Sequence, residues 1–208
     1  MRTGESIGVL KIKMRSHDHK KSDKRYENGS GQSLSHRFAS AFFRAEPSIE
    51  NGFKSFEYEK VCAMTAYFAN KCEDLLKVKL LKLLNYSDMI FYQRYGTSMS
   101  GMKYVHLPYG PVPQNYDILF GMMEADQVIH IEIEFDKGYE RHRVIPDCAD
   151  SEEGLTQGEL DVLNQVYEKF ADFGSVEISN YSHKEAGYLA TQTGEVISYK
   201  YAKDIHLE

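Results

Sequence analysis

An α+β fold, with a mainly α-helical core and a short antiparallel β-hairpin, is what this sequence predicts. Three stretches carry that prediction. Residues 75–95 are apolar around most of a helix. Residues 129–135 alternate apolar and polar ahead of a turn. Residues 160–170 carry a single apolar stripe behind a helix-start signal.

The chain divides in two by composition. Residues 1–50 carry ten Lys/Arg against six Asp/Glu; the remainder carries fifteen against twenty-five. Residues 1–52 are expected to form a basic, partly disordered leader, and residues 53–208 the folded domain. In the leader, Ile7 to Met14 reads as a short strand, and residues 16–33 are polar and rich in Gly and Ser. His17 and His19 form an i, i+2 pair that a metal could use, but a solvated tail is the plainer reading. Phe38 to Phe43 offers one or two amphipathic turns, and Asn51-Gly52 is a turn signal.

Ser55 is placed to cap the first long helix, with Glu57 and Glu59 where the helix dipole favours negative charge. Its inward stripe is Val61, Met64, Thr65 and Phe68, and it ends near Lys71. The helix after it places Leu76, Leu80, Leu83, Ser87 and Ile90 on one face, and Leu81, Leu84, Asp88, Tyr92 and Tyr95 on the next. A helix apolar over most of its girth is covered by other elements. Its Lys79, Lys82, Asn85 and Asp88 must therefore each reach solvent or a partner. The two helices are expected to pack as a hairpin.

Gly96 ends the central helix, and Met102 to Leu107 reads as a strand. Pro111 and Pro113 argue against a strand at 110–113, and Pro113 suits the first turn of a new helix. That helix shows Tyr116, Leu119, Phe120 and Met123 on one face. With Lys137-Gly138 as the hairpin loop, Glu134 faces Arg141 and Glu132 faces Arg143; a one-residue slip would set the arginines against isoleucines. Thr156 and Glu159 make a capping box for the helix carrying Leu160, Leu163, Val166, Tyr167 and Phe170. Ser182 and Glu185 suggest a second capping box, and Val196 to Tyr199 an extended piece before a last helical turn.

Chemistry-bearing motifs are few. There is no P-loop, no G-x-S-x-G and no H-E-x-x-H. His130, Glu132 and Glu134 share a strand face as metal ligands would, but cross-strand ion pairs serve equally. Asp88 and His183 form a conceivable acid/base pair, which would make the chain a hydrolase. Cys62, Cys72 and Cys148 have no metal-type spacing and read as reduced thiols in a cytoplasmic protein. No run reaches the roughly 18 apolar residues of a membrane span. The acidic domain is a poor general nucleic-acid binder, although the basic leader leaves a DNA-binding regulator as an alternative. No cofactor is called for. Stiff proline turns and tyrosines suit a binding module, because they lose little entropy on association.

The run Lys79-Leu80-Leu81-Lys82-Leu83-Leu84-Asn85-Tyr86-Ser87-Asp88 resembles the K-L-x-K-L-L-Y-Y-A-D helix of the Panacea domain, the SocA-like antitoxin and phage-associated family. Tyr95-Gly96, residues 100–104, Leu107-Pro108-Tyr109-Gly110-Pro111-Val112-Pro113, Asn115-Tyr116, the charged hairpin, residues 182–185 and Ile197-Ser198-Tyr199 follow in the family's order. The resemblance covers roughly residues 53–205 and departs at Asn85, where the family often has an aromatic. It implies an antitoxin of a type II toxin–antitoxin pair that neutralises a cognate protein toxin by contact. It also implies, for some members, an adaptor role toward an ATP-dependent protease. Self-association as a homodimer is a further expectation. Many members carry a helix-turn-helix in front of the domain; residues 1–50 do not hold a complete one, so operon repression is not expected here. Toxin-contact candidates are Tyr109, Pro111, Val112 and Pro113, with Lys79, Lys82 and Tyr86 expected to be exposed. Asp88, Gly110, His183, Glu185 and Tyr199 are family-motif positions expected to be structural.

Overall fold

The helix at the centre of the molecule, α3 (Lys77–Tyr95), is buried at every position from Lys79 to Ile90. The computed structural model describes residues 33–136, 138–148 and 152–207. The strand expected over Ile7–Met14, the polar stretch up to residue 32, and His17 and His19 lie outside the described residues.

α3 is enclosed by α2 (Tyr58–Lys71), α5 (Gln157–Phe170), α6 (Ser175–Ser182), β2 (Gly110–Pro113) and a final 3-10 helix (Tyr199–Asp204). Leu80, Leu83, Leu84 and Ile90 enter one core with Val61, Met64, Phe68, Val162, Val166 and Phe170. Burying side chains of this size stabilises the fold by about 2 kcal/mol each. Gly96 ends α3 in the left-handed region at φ 76, its N–H bonded to Tyr92 O.

α2 begins at Tyr58, not at Ser55, and its N-cap Glu57 makes no side-chain cap. Residues 55–57 are held outside the helix by the 98–101 loop. Glu57 N–H donates to Ser100 O at 2.9 Å, and a Cβ on Gly101 would lie 2.4 Å from Ser55 O.

Described residues before position 52 contact the rest of the fold. α1 (Leu34–Phe42) packs on α2 and on α4 (Tyr116–Ala125), with Ala39 fully buried. Ser33 Oγ donates to Asp126 at 2.8 Å, Ser98 N–H to Gly52 O at 2.8 Å and Tyr199 N–H to Ile49 O at 3.1 Å. Ala39 is the buried side chain of α1, whereas Leu34, Phe38 and Phe42 stand exposed on its other side.

Two small antiparallel sheets complete the α+β fold. β1 (Tyr104–Leu107) lies between β2 and β5 (Val196–Ile197). Gly110–Pro113 is thus a strand, contrary to expectation. Prolines are tolerated because β2 is an edge strand, where a missing N–H breaks no second ladder. Pro113 pairs with Tyr104 rather than opening a helix, and α4 starts after Asn115 at φ 58.

The second sheet is the hairpin β3 (Ile129–Asp136) and β4 (Tyr139–Pro146), in the charge-matched register with Glu132 opposite Arg143 and Glu134 opposite Arg141. The Thr156–Glu159 capping box opens α5 as expected. The Ser182–Glu185 box does not form. Glu177 caps the Gly174 N–H at 2.7 Å, so α6 starts early and Ser182 ends it; α7 (Ala186–Leu189) follows Glu185 without a side-chain cap.

Candidate protein-docking face

The polar groups of α3 assemble this region from the inside. Lys82 is 0% exposed, and its Nζ donates to Pro111 O at 2.9 Å. No ion pair reaches it among the described residues, and burial pushes its pKa down to about 7. Lys79, 8% exposed, donates to Ala171 O just past the end of α5, where unpaired carbonyls attract a cation. Tyr86, 0% exposed, donates to Glu185 Oε1 at 3.1 Å. Burial and the neighbouring carboxylate push the Tyr86 hydroxyl pKa upward. The expectation that Lys79, Lys82 and Tyr86 are exposed is therefore corrected. Long side chains on an enclosed helix reach backbone carbonyls and a buried carboxylate instead of water.

The Lys82 bond clasps β2 to α3. Gly110 sits at φ 100, where a Cβ would lie 2.3 Å from Ser182 Oγ and 2.7 Å from Lys82 Cε. Only glycine passes between α3 and α6 in that conformation. Pro111, Val112 and Pro113 are buried with it, so three of the expected contact residues face inward. Tyr109, at the turn between β1 and β2, is 72% exposed.

Beside that turn the structure builds a stack that sequence spacing did not announce. The Tyr188 ring lies between His106, at 3.7 Å between centroids, and His183, at 4.6 Å, all three nearly parallel. Tyr188 OH donates to Leu107 O at 3.0 Å, tying α7 to the end of β1. His183 is held to the Pro108 backbone, and its pKa is lowered by burial and then by Lys82 and His106. Pro108, Tyr109 and Leu189 stand exposed on these joined segments. The signal available in the sequence was faint: three aromatic rings 77 and 5 positions apart show no period.

Asp88 and His183 do not meet. Asp88 is fully buried, accepting from Met99 N–H at 2.8 Å, Ser100 N–H at 2.9 Å, Tyr104 OH at 2.8 Å and the Ser100 hydroxyl. Burial pushes its pKa above the ordinary carboxylate value, against the pull of those hydrogen bonds. The carboxylate pins the 98–104 segment under α3, and the acid/base pairing is withdrawn. Tyr199 has a related place: its OH donates to Met102 O at 2.9 Å. Asn85 Nδ2 has no partner among the described residues. With Glu185 and Tyr188 it lines a cavity of about 20 Å³, the size of one water.

The row His130, Glu132 and Glu134 is occupied by ion pairs. His130 meets Asp147 at 2.7 Å, and Glu134 meets Arg143 at 3.3 Å on the diagonal. Arg141 turns away from Glu134 to Asp74 at 2.6 Å. Among the described residues no group of three His, Cys, Asp or Glu side chains is placed to hold a metal. Nor is any described helix long and apolar enough to cross a membrane. A separate cleft of about 260 Å³ is lined by Phe42, Phe43, Phe56, Met102 and Leu119.

Residues 80–187, from α3 to α7, match the family model described as antitoxin SocA-like, Panacea domain. No curated protein and no solved structure matches the chain. The matched span contains the Lys82 clasp, Gly110, the buried Asp88 and both histidines of the stack, ending one residue before Tyr188, and it covers just over half of the chain; the protein belongs to the antitoxin SocA-like, Panacea-domain family.

Proposed function

We propose that this chain is an antitoxin that neutralises a protein toxin by direct contact, without turnover, through a surface that includes Tyr109. The family match over residues 80–187 carries the reading. The geometry around Tyr109 supports it. The ring stands in solvent on a turn whose following strand is stiffened by Pro111 and Pro113 and bonded to α3 by Lys82. A tyrosine has two side-chain torsions to freeze, and this backbone has little freedom left to lose. Pro108 and Leu189 add apolar surface beside it.

The test begins with the product of the neighbouring gene. Expressed alone it should arrest growth, and co-expression with this chain should restore it. Tyr109→Ala should weaken the purified complex by at least about tenfold, as loss of an aromatic anchor does. The same substitution should leave the unfolding midpoint unchanged. Growth arrest that this chain does not relieve would overturn the antitoxin reading. Unchanged affinity in Tyr109→Ala would remove Tyr109 from the contact.

A further inference from the structure

Among the described residues, the β3 edge of the β3–β4 hairpin has no partner strand. The hairpin is a two-stranded sheet, and two strands alone are marginally stable in water. β4 is covered on its outer side, where Val144 N–H donates to Leu75 O at 2.8 Å. On β3 the Ile131 N–H points away from β4 and is taken by Glu124 Oε1 at 2.9 Å. By the alternation of an antiparallel ladder, the Ile133 and Phe135 main-chain groups point the same way. No described residue pairs with them. Their side chains are about half exposed, at 52% and 54%, on the face that buries Ile129 at its base. The opposite face of the strand carries Glu132 and Glu134.

A strand that fits this edge is apolar on the face of Ile133 and Phe135, and basic side chains on its other face would lie beside Glu132 and Glu134, of which Glu134 also meets Arg143 at 3.3 Å. Residues 10–15 of the same chain have that pattern: Leu10, Ile12 and Met14 alternate with Lys11, Lys13 and Arg15. With Ile12 opposite Ile133 in an antiparallel pair, Leu10 meets Phe135, Lys11 meets Glu134 and Lys13 meets Glu132. A slip of one residue would set lysines on isoleucines. The described chain also begins in the right place. Ser33 is bonded to Asp126, three positions before β3. The 18 residues from Arg15 to Ser33 reach up to about 60 Å, against about 27 Å for the length of β3. A second copy of β3 fits worse, because antiparallel pairing about Ile133 sets Glu132 against Glu134.

We propose that residues 10–15 add to the free edge of β3 as a third, antiparallel strand within the same chain. The pairing covers Ile133 and Phe135 and sets Lys11 and Lys13 beside Glu134 and Glu132. It is independent of the antitoxin reading.

Amide hydrogen exchange on the full chain tests it. The Ile133 and Phe135 amides should exchange at least about fivefold to tenfold more slowly than in a chain lacking residues 1–15, the protection one hydrogen bond confers. Full-length Lys11→Glu/Lys13→Glu should lose the same protection. Exchange of Leu83 and Leu84 in α3 should be equal in all three and serves as the standard of an intact core. Protection should also survive tenfold dilution. Equal exchange with and without residues 1–15 would overturn the proposal. So would protection that disappears on dilution, which means pairing between copies, or protection that appears only when a toxin is added.

Discussion

Replacing Lys82 with methionine isolates the one buried cation that clasps β2 to α3. In the folded chain its ammonium has lost its water, has Pro111 O as its hydrogen-bond acceptor and has a pKa near 7. In the unfolded chain the value returns to about 10.4. Between those values the unfolded state binds more protons than the folded state. Stability carried by this group therefore rises as pH rises through the window. The limiting slope is about 1.4 kcal/mol per pH unit, and from pH 7 to pH 9 the linkage amounts to about 2 kcal/mol. Methionine has nearly the same length and no proton to release. It leaves Pro111 O unpaired at a cost of about 1–2 kcal/mol, which does not depend on pH. Urea unfolding at pH 7, 8 and 9, followed by far-ultraviolet circular dichroism because the chain has no tryptophan, measures both proteins. The stability of the natural chain relative to Lys82→Met should grow by about 2 kcal/mol across the series. Parallel profiles would refute the reasoning and mean that Lys82 keeps its charge and its ordinary pKa inside the fold.

Two further substitutions probe the same framework. Gly110→Ala combines a left-handed backbone with a Cβ inside contact distance of Ser182 and Lys82, and should cost about 2–4 kcal/mol in urea unfolding. Asp88→Ala strips the acceptor from the Met99 and Ser100 N–H groups and from two hydroxyls, and should cost about 3 kcal/mol or prevent folding.

Much of the fold was legible because local pattern and tertiary packing agree. The enclosed girth of α3, the α5 capping box and the β3–β4 register follow from spacing that a buried face imposes. The candidate site was legible in outline and misread in orientation. Lys79, Lys82 and Tyr86 looked like a surface stripe because charged and hydroxylated side chains usually seek water. Their partners are Ala171 O, Pro111 O and Glu185, which come from 29 to 99 positions away. Pro111 and Pro113 looked like strand breakers because nothing local says which strand lies at a sheet edge. Ser55 and Ser182 looked like caps, but the competing partners were backbone groups at Ser100 and Ser179.

By itself the sequence determined what depends on neighbours along the chain: an apolar helix too greasy for the surface, a hairpin whose charges tolerate one register, and the ordered motifs that name the family. Only the tertiary structure decided which of those motif residues face solvent. Burial is a property of what lies opposite a side chain, and for Lys82, Gly110 and Asp88 that is β2, α6 and the 98–104 segment. What remains outside is Tyr109, because the turn that carries it is the one part of its motif that α3 and α6 do not cover.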